Sequence, residues 1–171
     1  MKTLRLFSVF LGLVAACALH AADAKATSRT EVIFDHPENF TDVKDAAFPT
    51  DKGRDAILHT IREFVQEKAD YLLPAGDTMR ITFTDVDLAG DYEPGRGPRW
   101  DDVRIVKSIY PPAFKFAYAV MDPSGRVVKQ GSENIRDMTF DTRITFNRDD
   151  PLHYEKDFLD DWLHQNLRDL K

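Results

Sequence analysis

Two stretches of apolar residues with helical spacing constrain the fold of this chain more than any other feature. In the first, from Asp51 to Leu72, apolar side chains recur every three or four residues and charged side chains lie opposite. The second follows Asp150-Pro151 and continues to the C-terminus. Because an apolar stripe on one side of a helix must be buried against another element, the sequence predicts two amphipathic helices packed on a sheet.

Both predicted helices carry residues typical of helix boundaries. Thr50 or Asp51 can cap the first helix by accepting hydrogen bonds from backbone N–H groups, and Leu73-Pro74-Ala75-Gly76 ends it. For the second helix, Asp150 is the predicted N-cap and Pro151 the first helical residue, since an N–H at that position has no partner within the helix.

Several short segments alternate apolar and polar side chains, which is typical of strands with one buried face. These segments span residues 31–34, 78–88, 103–106, 113–121 and 126–131. Asp122-Pro123-Ser124-Gly125 predicts a hairpin turn between the last two. Ile144 and Phe146 can form a further edge strand.

The second predicted strand changes phase within its length. Alternate residues from Met79 to Phe83 are apolar in its first half, whereas Val86 and Leu88 are apolar in its second half. Because side chains alternate between the faces of a sheet, an unbroken strand would turn the second set away from the core. We therefore predict a β-bulge near Thr84-Asp85.

The predicted order of elements is strand, helix, three or four strands, helix. The simplest arrangement is an α+β fold, in which an antiparallel sheet of four to five strands carries two helices packed on one face. We expect this fold to form a single domain over residues 23–171, because a chain of this length buries enough surface for one core.

Residues 1–22 have the layout of a secretory signal peptide. Lys2 and Arg5 form a short basic start, an apolar run extends from Leu6 to Leu19, and small residues follow. The apolar run is about 14 residues long, shorter than the roughly 20 that cross a bilayer as a helix. The pattern predicts export to the periplasm through the Sec route, with cleavage just before Asp23.

A second processing site competes with the first. Val14-Ala15-Ala16-Cys17 is similar to the bacterial lipobox, in which the cysteine is lipidated and anchors the protein to a membrane. If Cys17 is instead removed with the signal peptide, the mature chain contains no cysteine and has no thiol chemistry. Both alternatives remain open at this point.

The charge balance excludes some classes of partner. The chain has 23 Lys and Arg against 29 Asp and Glu, which gives a net charge of −6. Loss of residues 1–22 removes two of the basic residues and makes the net charge more negative. This acidic excess argues against a nucleic-acid partner, whose phosphates require a basic surface. We also predict no cofactor, and no transmembrane span in the mature chain.

The densest acidic cluster of the chain lies after Thr84. It consists of Asp85, Asp87, Asp91 and Glu93. Carboxylates are natural ligands of Ca²⁺ and Mg²⁺, so an ion site is one interpretation and a set of solvated loop acids is the other. The segment does not fit the EF-hand pattern, because Ala89 occupies the fifth position of the loop and Arg96 the twelfth, where a bidentate Glu belongs.

Two further surfaces are candidates for contact with a partner. The glycine- and proline-rich loop after the cluster contains Arg96, Arg99 and Trp100, residue types that are enriched at binding hot spots. On the last helix, Glu155 and the aspartates that follow it form an acidic face. We interpret this face as solvated, with docking of a basic partner as the alternative.

Several stretches of the chain carry a family pattern. They are Val32-Ile33-Phe34, Pro37-Glu38-Asn39-Phe40-Thr41-Asp42, Thr84-Asp85-Val86-Asp87-Leu88-Ala89-Gly90, Pro151-Leu152-His153-Tyr154-Glu155-Lys156 and Leu159-Asp160-Asp161-Trp162. Across nearly all of the predicted mature chain the sequence resembles a bacterial family known as domain of unknown function 3016. The resemblance implies export in Gram-negative bacteria, and it brings no activity, ligand or catalytic residue.

These patterns favour an exported, non-enzymatic protein that binds an unidentified protein or small molecule. The sequence has no nucleophile, metal or phosphate motif, so we assign no catalytic residue. The alternative is a metal-dependent hydrolase or an ion-binding protein that uses the acidic cluster after Thr84.

Overall fold

A computed structural model of the chain describes residues 27–93, 95, 102–143 and 149–170. The strands are β1 (Thr30–Phe34), β2 (Thr78–Asp87), β3 (Asp91–Tyr92), β4 (Arg104–Ile105), β5 (Ala113–Met121) and β6 (Val127–Arg136). The helices are α1 (Asp51–Leu72) and α2 (His153–Leu167), with short 3-10 turns at Pro37–Asn39, Phe140–Thr142 and Arg168–Leu170. The predicted signal peptide, with Cys17, and the predicted strand at Ile144 and Phe146 lie outside the described residues.

Four strands form one sheet in the order β1-β2-β5-β6, and β3 pairs with β4 in a separate two-stranded sheet. β1 runs parallel to β2, because α1 provides the long crossover that a parallel connection requires. The other neighbours are antiparallel. The α+β class is therefore confirmed, but the sheet is mixed rather than purely antiparallel, and the segment predicted as a loop after β2 contains β3.

The bulge predicted in β2 is present. Phe83 pairs with Phe116 of β5, whereas the next pair is Asp85 with Lys115, so Thr84 is the extra residue. The side chains of Phe83 and Val86, on either side of the bulge, are both fully buried. The phase change in the sequence therefore corresponds to an inserted residue, which keeps the apolar side chains of both halves of the strand in the core.

The first helix begins and ends as predicted, and the hairpin turn before β6 also forms. Thr50 is the N-cap of α1, and its hydroxyl oxygen accepts a hydrogen bond from the backbone N–H of Gly53 at 3.0 Å. Gly125 has a φ of +83°, a left-handed conformation that glycine adopts without steric penalty.

Three predicted boundaries are wrong by two residues or more. β6 continues to Arg136, five residues beyond the predicted end at Gly131, because an edge strand with polar side chains shows no apolar alternation. The helix α2 begins at His153 rather than at Pro151, and it ends at Leu167, before a 3-10 turn, rather than at the C-terminus. The N-cap is therefore Leu152 and not the predicted Asp150, whose carboxylate accepts the Leu152 N–H at 2.9 Å and whose carbonyl accepts the His153 N–H at 3.1 Å.

Aromatic rings join the sheet to the last helix. Trp162 of α2 packs edge-to-face against Phe116 and Tyr118 of β5, with ring centroids 4.8 and 4.9 Å apart. Buried residues of α1 belong to the same core cluster, among them Ile61 and Val65. Both helices thus share one core with the sheet, and their placement on a single face stays a prediction.

No helix within the described ranges is long and apolar enough to cross a membrane.

The aromatic contact between the sheet and α2 can be tested by truncation. We expect Phe116→Ala to lower the free energy of unfolding by about 3–5 kcal/mol, because it leaves a cavity beside Trp162. Phe48→Ala is the matched control, since Phe48 is 86% exposed, and its effect should stay within about 0.5 kcal/mol. Urea unfolding of both variants measures the difference, and equal effects would contradict this account of the core.

Candidate functional site

The first two acids of the predicted cluster are held by basic partners. The Asp85 carboxylate accepts hydrogen bonds from the backbone N–H and the hydroxyl of Thr41, at 2.8 and 2.9 Å, and from Lys115 Nζ at 2.9 Å. Burial opposes ionisation of Asp85, but these donors together lower its pKa. Asp87 pairs with Arg136 at 3.2 Å, and burial raises its pKa despite that partner.

The other two acids lie on the β3 side. Asp91 accepts the backbone N–H of Tyr92 at 2.7 Å, whereas Glu93 bonds to Lys107 and to the Tyr110 hydroxyl. Asp87 and Asp91 share the wall of a pocket of about 170 Å³, whereas Asp85 and Glu93 do not line it.

The described residues contain no group of three or more His, Cys, Asp or Glu side chains that could hold a metal ion. The ion-binding alternative therefore stays a prediction. The predicted contact residues Arg96, Arg99 and Trp100 lie outside the described residues, so the contact loop is not tested.

A larger cavity, of about 790 Å³, lies elsewhere. Its walls come from α1, the segment after β2, the β3–β4 pair and the first turn of α2. The apolar part of the lining includes Ala56, Ile57, Leu88, Val106, Pro151 and Leu152. The polar part includes Lys44, Asp45, Thr60, Tyr92, Arg104, Asp149, Asp150, His153, Tyr154 and Glu155.

Glu155 is the most unusual residue of this lining. Only 1% of its surface is exposed, so the prediction that it belongs to a solvated acidic face is wrong. One carboxylate oxygen, Oε1, accepts the backbone N–H of Ala89 at 2.6 Å. The other, Oε2, has no hydrogen-bond partner in the part of the chain that the structure describes. A buried carboxylate oxygen without a donor is costly, so this position needs an explanation beyond packing within the described chain.

Burial also raises the pKa of Glu155 above its ordinary value. The Ala89 N–H, the Arg104 guanidinium and His153 all favour the charged form, but they do not outweigh the loss of water. At a given pH, the neutral form of this carboxyl is therefore favoured more than that of an exposed glutamate.

Arg104 fixes the wall opposite α2. Its guanidinium donates to both carboxylate oxygens of Asp42, at 2.9 and 3.2 Å, and to the carbonyls of Gly90 and Lys44 at 2.9 and 3.0 Å. Its Cζ atom also lies 4.9 Å from the centre of the Tyr92 ring. Burial disfavours the charged guanidinium, yet the bonds and the charge of Asp42 raise the pKa of Arg104.

Because these contacts use most of the donors of Arg104, its role is to hold β3–β4 against the loop after β1. A ligand in the cavity would find few free N–H groups on it. In the lining, Asp150 is paired with Lys156 and Arg104 with Asp42, which leaves the carboxyl groups of Asp45, Asp149 and Glu155 against the cation Lys44. The cavity therefore combines an apolar wall with a negative balance of charge.

The match to a protein-family model covers residues 28–165, which include every strand, the whole of α1 and all but the last two residues of α2. The chain belongs to the family described as Protein of unknown function (DUF3016). The resemblance predicted from the sequence is thereby confirmed. Comparison with curated proteins and with solved structures found no match. For this DUF3016 protein, the site must therefore be interpreted from its own chemistry.

Sequence reasoning missed the residues that build this cavity, although one signal was present. Glu155 stands three residues after Leu152 and four before Leu159, so it interrupts the apolar stripe of α2. A charged residue at such a position is either a break in the stripe or a buried group. Arg104 and Tyr92 gave no comparable signal, because their importance comes from contacts distant in sequence.

The burial of Glu155 predicts a pH-dependent effect of Glu155→Gln. Since the folded-state pKa lies above the ordinary value of 4.5, the stability that the neutral form provides is present at low pH and is lost as the pH rises through the folded-state pKa. Gln cannot ionise. We therefore expect the free energy of unfolding of Glu155→Gln, minus that of the wild type, to increase as the pH is raised from 4.5.

Urea unfolding over a pH series measures this difference, and any constant effect of the amide cancels from its slope. Glu67→Gln is the control, because it makes the same change from a carboxyl to an amide at an exposed position of α1. A flat difference for Glu155→Gln would show that the carboxyl is hydrated in solution.

Proposed function

We propose that this DUF3016 protein is an exported binding module that holds a small amphiphilic molecule in the cavity beside Glu155. The observation that carries the proposal is the buried carboxylate oxygen that finds no donor in the described part of the chain and lies in the wall of a cavity of about 790 Å³. Cavities of roughly 300–1,000 Å³ are typical of small-molecule sites with a largely apolar lining and a few polar groups.

The lining supports a ligand with an apolar body. Ile57 of α1, Leu88 after β2 and Leu152 before α2 present apolar side chains to the cavity. Transfer of an apolar chain from water onto such a surface is favourable by roughly 25 cal/mol per Å² of area removed from water. An apolar body thus gives affinity without requiring further polar partners.

The charges support a ligand head group that is cationic or donates hydrogen bonds. An ionised Glu155 offers only acceptors, and its field is strong because little water surrounds it. Asp149, at the same end of α2, adds to the negative charge of Glu155, whereas the carboxylate of Asp150 is paired with Lys156. An anionic head group would instead meet these acids, while the guanidinium of Arg104 is already bonded to Asp42.

Thermal unfolding with three probes of equal alkyl length tests the proposal. We expect octylamine to raise the unfolding midpoint, octanol to raise it less, and octanoate to leave it unchanged. A probe at about ten times its dissociation constant should stabilise the folded protein by roughly 1.4 kcal/mol. Glu155→Gln should reduce the octylamine effect to that of octanol, because it removes the charge and keeps the apolar wall.

Ala56→Trp provides a second variant, since it places a large ring in the cavity from an exposed helical position and should abolish the effect of every probe. Ala75→Trp, in the exposed turn after α1, is the matched control and should bind as the wild type does. Equal effects of octylamine and octanoate, or an undiminished effect in Ala56→Trp, would refute the proposed site.

The same assay includes the alternative of a metal-dependent hydrolase. A midpoint that rises with Ca²⁺, Mg²⁺ or Zn²⁺, and no longer rises in Asp87→Ala, would favour that alternative over the binding module. The binding module predicts no such rise.

Export is the second part of the proposal, and the basic, apolar and small-residue pattern of residues 1–22 supports it. Intact-mass analysis of the protein from a periplasmic fraction should show an N-terminus at Asp23. An N-terminus at Cys17 with added lipid mass would instead identify a membrane-anchored lipoprotein. A full-length chain in the cytosol would contradict both forms of the proposal.

A further inference from the structure

The two edges of the four-stranded sheet differ in whether side chains already bond to the backbone groups of the edge strand. At the β1 edge, side chains of α1 bond to the strand backbone: Gln66 Nε2 donates to the Thr30 carbonyl at 3.0 Å, and Arg62 Nε donates to the Val32 carbonyl at 3.4 Å. These bonds occupy acceptors that another strand would need. The β1 edge is therefore closed to strand addition.

The β6 edge has no such cover. Within the described residues, no strand pairs with its outer side and no side chain bonds to its backbone there. β6 spans ten residues from Val127 to Arg136, without proline, and its residues are alternately half-buried and exposed from Val128 onward. An edge strand of this length with free backbone groups is a template for pairing with a further strand.

Two charged residues on this edge identify the partner strand. Glu133 and Lys129 both lie on the core side of β6, because they pair with the buried Phe116 and Val120 of β5. Glu133 is half-buried and has no ion-pair partner among the described residues of its own chain. Lys129 donates to the carbonyl of Asn166 at 2.6 Å, which uses one of the three donors of its ammonium group.

We propose that β6 pairs antiparallel with β6 of a second copy of this chain, about a two-fold axis that passes through Gly131. Residue 129 of each copy then lies opposite residue 133 of the other, so that two Lys129–Glu133 pairs form. Directly opposite charges of unlike sign stabilise an antiparallel pair, and like charges destabilise it.

The symmetry makes this register specific. Residues that lie opposite each other must face the same side of the joined sheet. The two-fold axis can therefore pass through a residue but not between two residues. An axis at Gln130 would place Lys129 opposite Gly131, and an axis at Ser132 would place it opposite Ile135.

Sedimentation velocity of the wild type and of charge-reversed variants tests the pairing. We expect a concentration-dependent dimer for the wild type. Glu133→Lys and Lys129→Glu should each raise the dimer dissociation constant by about tenfold or more, because each places like charges opposite one another twice. Glu67→Lys, with the same change of charge on the exposed side of α1, should dimerise as the wild type does.

An equimolar mixture of the two single variants provides the decisive measurement. In a mixed dimer every opposite pair again unites a Lys with a Glu, so the mixture should dimerise with near wild-type affinity. This rescue requires both variants to be folded and the register to be centred on Gly131. A wild-type protein that stays monomeric at about 100 μM, a dimer that is indifferent to both reversals, or a mixture without rescue would each overturn the proposal.

Discussion

β2 contains one residue more than β5 between Phe83 and Asp85, and the arrangement of the whole site follows from that insertion. The extra Thr84 keeps Val86 and Leu88 on the core after the strand has bent. It also sets the position at which β2 ends, and therefore where the backbone N–H of Ala89 lies. That N–H holds Glu155, which in turn joins the first turn of α2 to the sheet.

Under the proposed function, stability and binding compete at Glu155. A leucine there would continue the apolar stripe of α2 and would need no hydrogen bond. The carboxyl instead accepts the Ala89 N–H with one oxygen, and within the described residues its second oxygen has no donor, so its charged form is stabilised incompletely. Local rules of packing are broken most often where a protein interacts with something outside its own chain.

Much of the fold was readable from the sequence, because the elements concerned bury one side and expose the other. The stripe from Asp51 to Leu72 predicted α1 to the residue, and the phase change after Phe83 predicted the bulge. The second half of β6 was missed, because an edge strand flanked by solvent carries no apolar alternation. The parallel direction of β1 also escaped prediction, since five residues carry no mark of their orientation.

The site was far less predictable than the fold, because long-range contacts build it. Asp42 and Arg104 are 62 residues apart, and nothing in either neighbourhood indicates the other. Three of the four residues in the dense acidic cluster are paired with lysine or arginine. In contrast, the buried acid whose second oxygen has no donor within the described residues stands among ordinary helical neighbours. A high density of acidic residues in the sequence is thus a weaker indication of a site than a charged residue on an apolar stripe.

The cover that α1 gives to the β1 backbone has a consequence for how far any assembly of this protein can extend. Pairing through β6 joins two sheets into one of eight strands, and it places a β1 strand at each end. Since Gln66 and Arg62 already occupy the carbonyls of that strand, a third copy finds no edge to join. These side chains thereby make growth of the proposed assembly self-terminating after two copies. The assembly is then a discrete particle instead of a fibre.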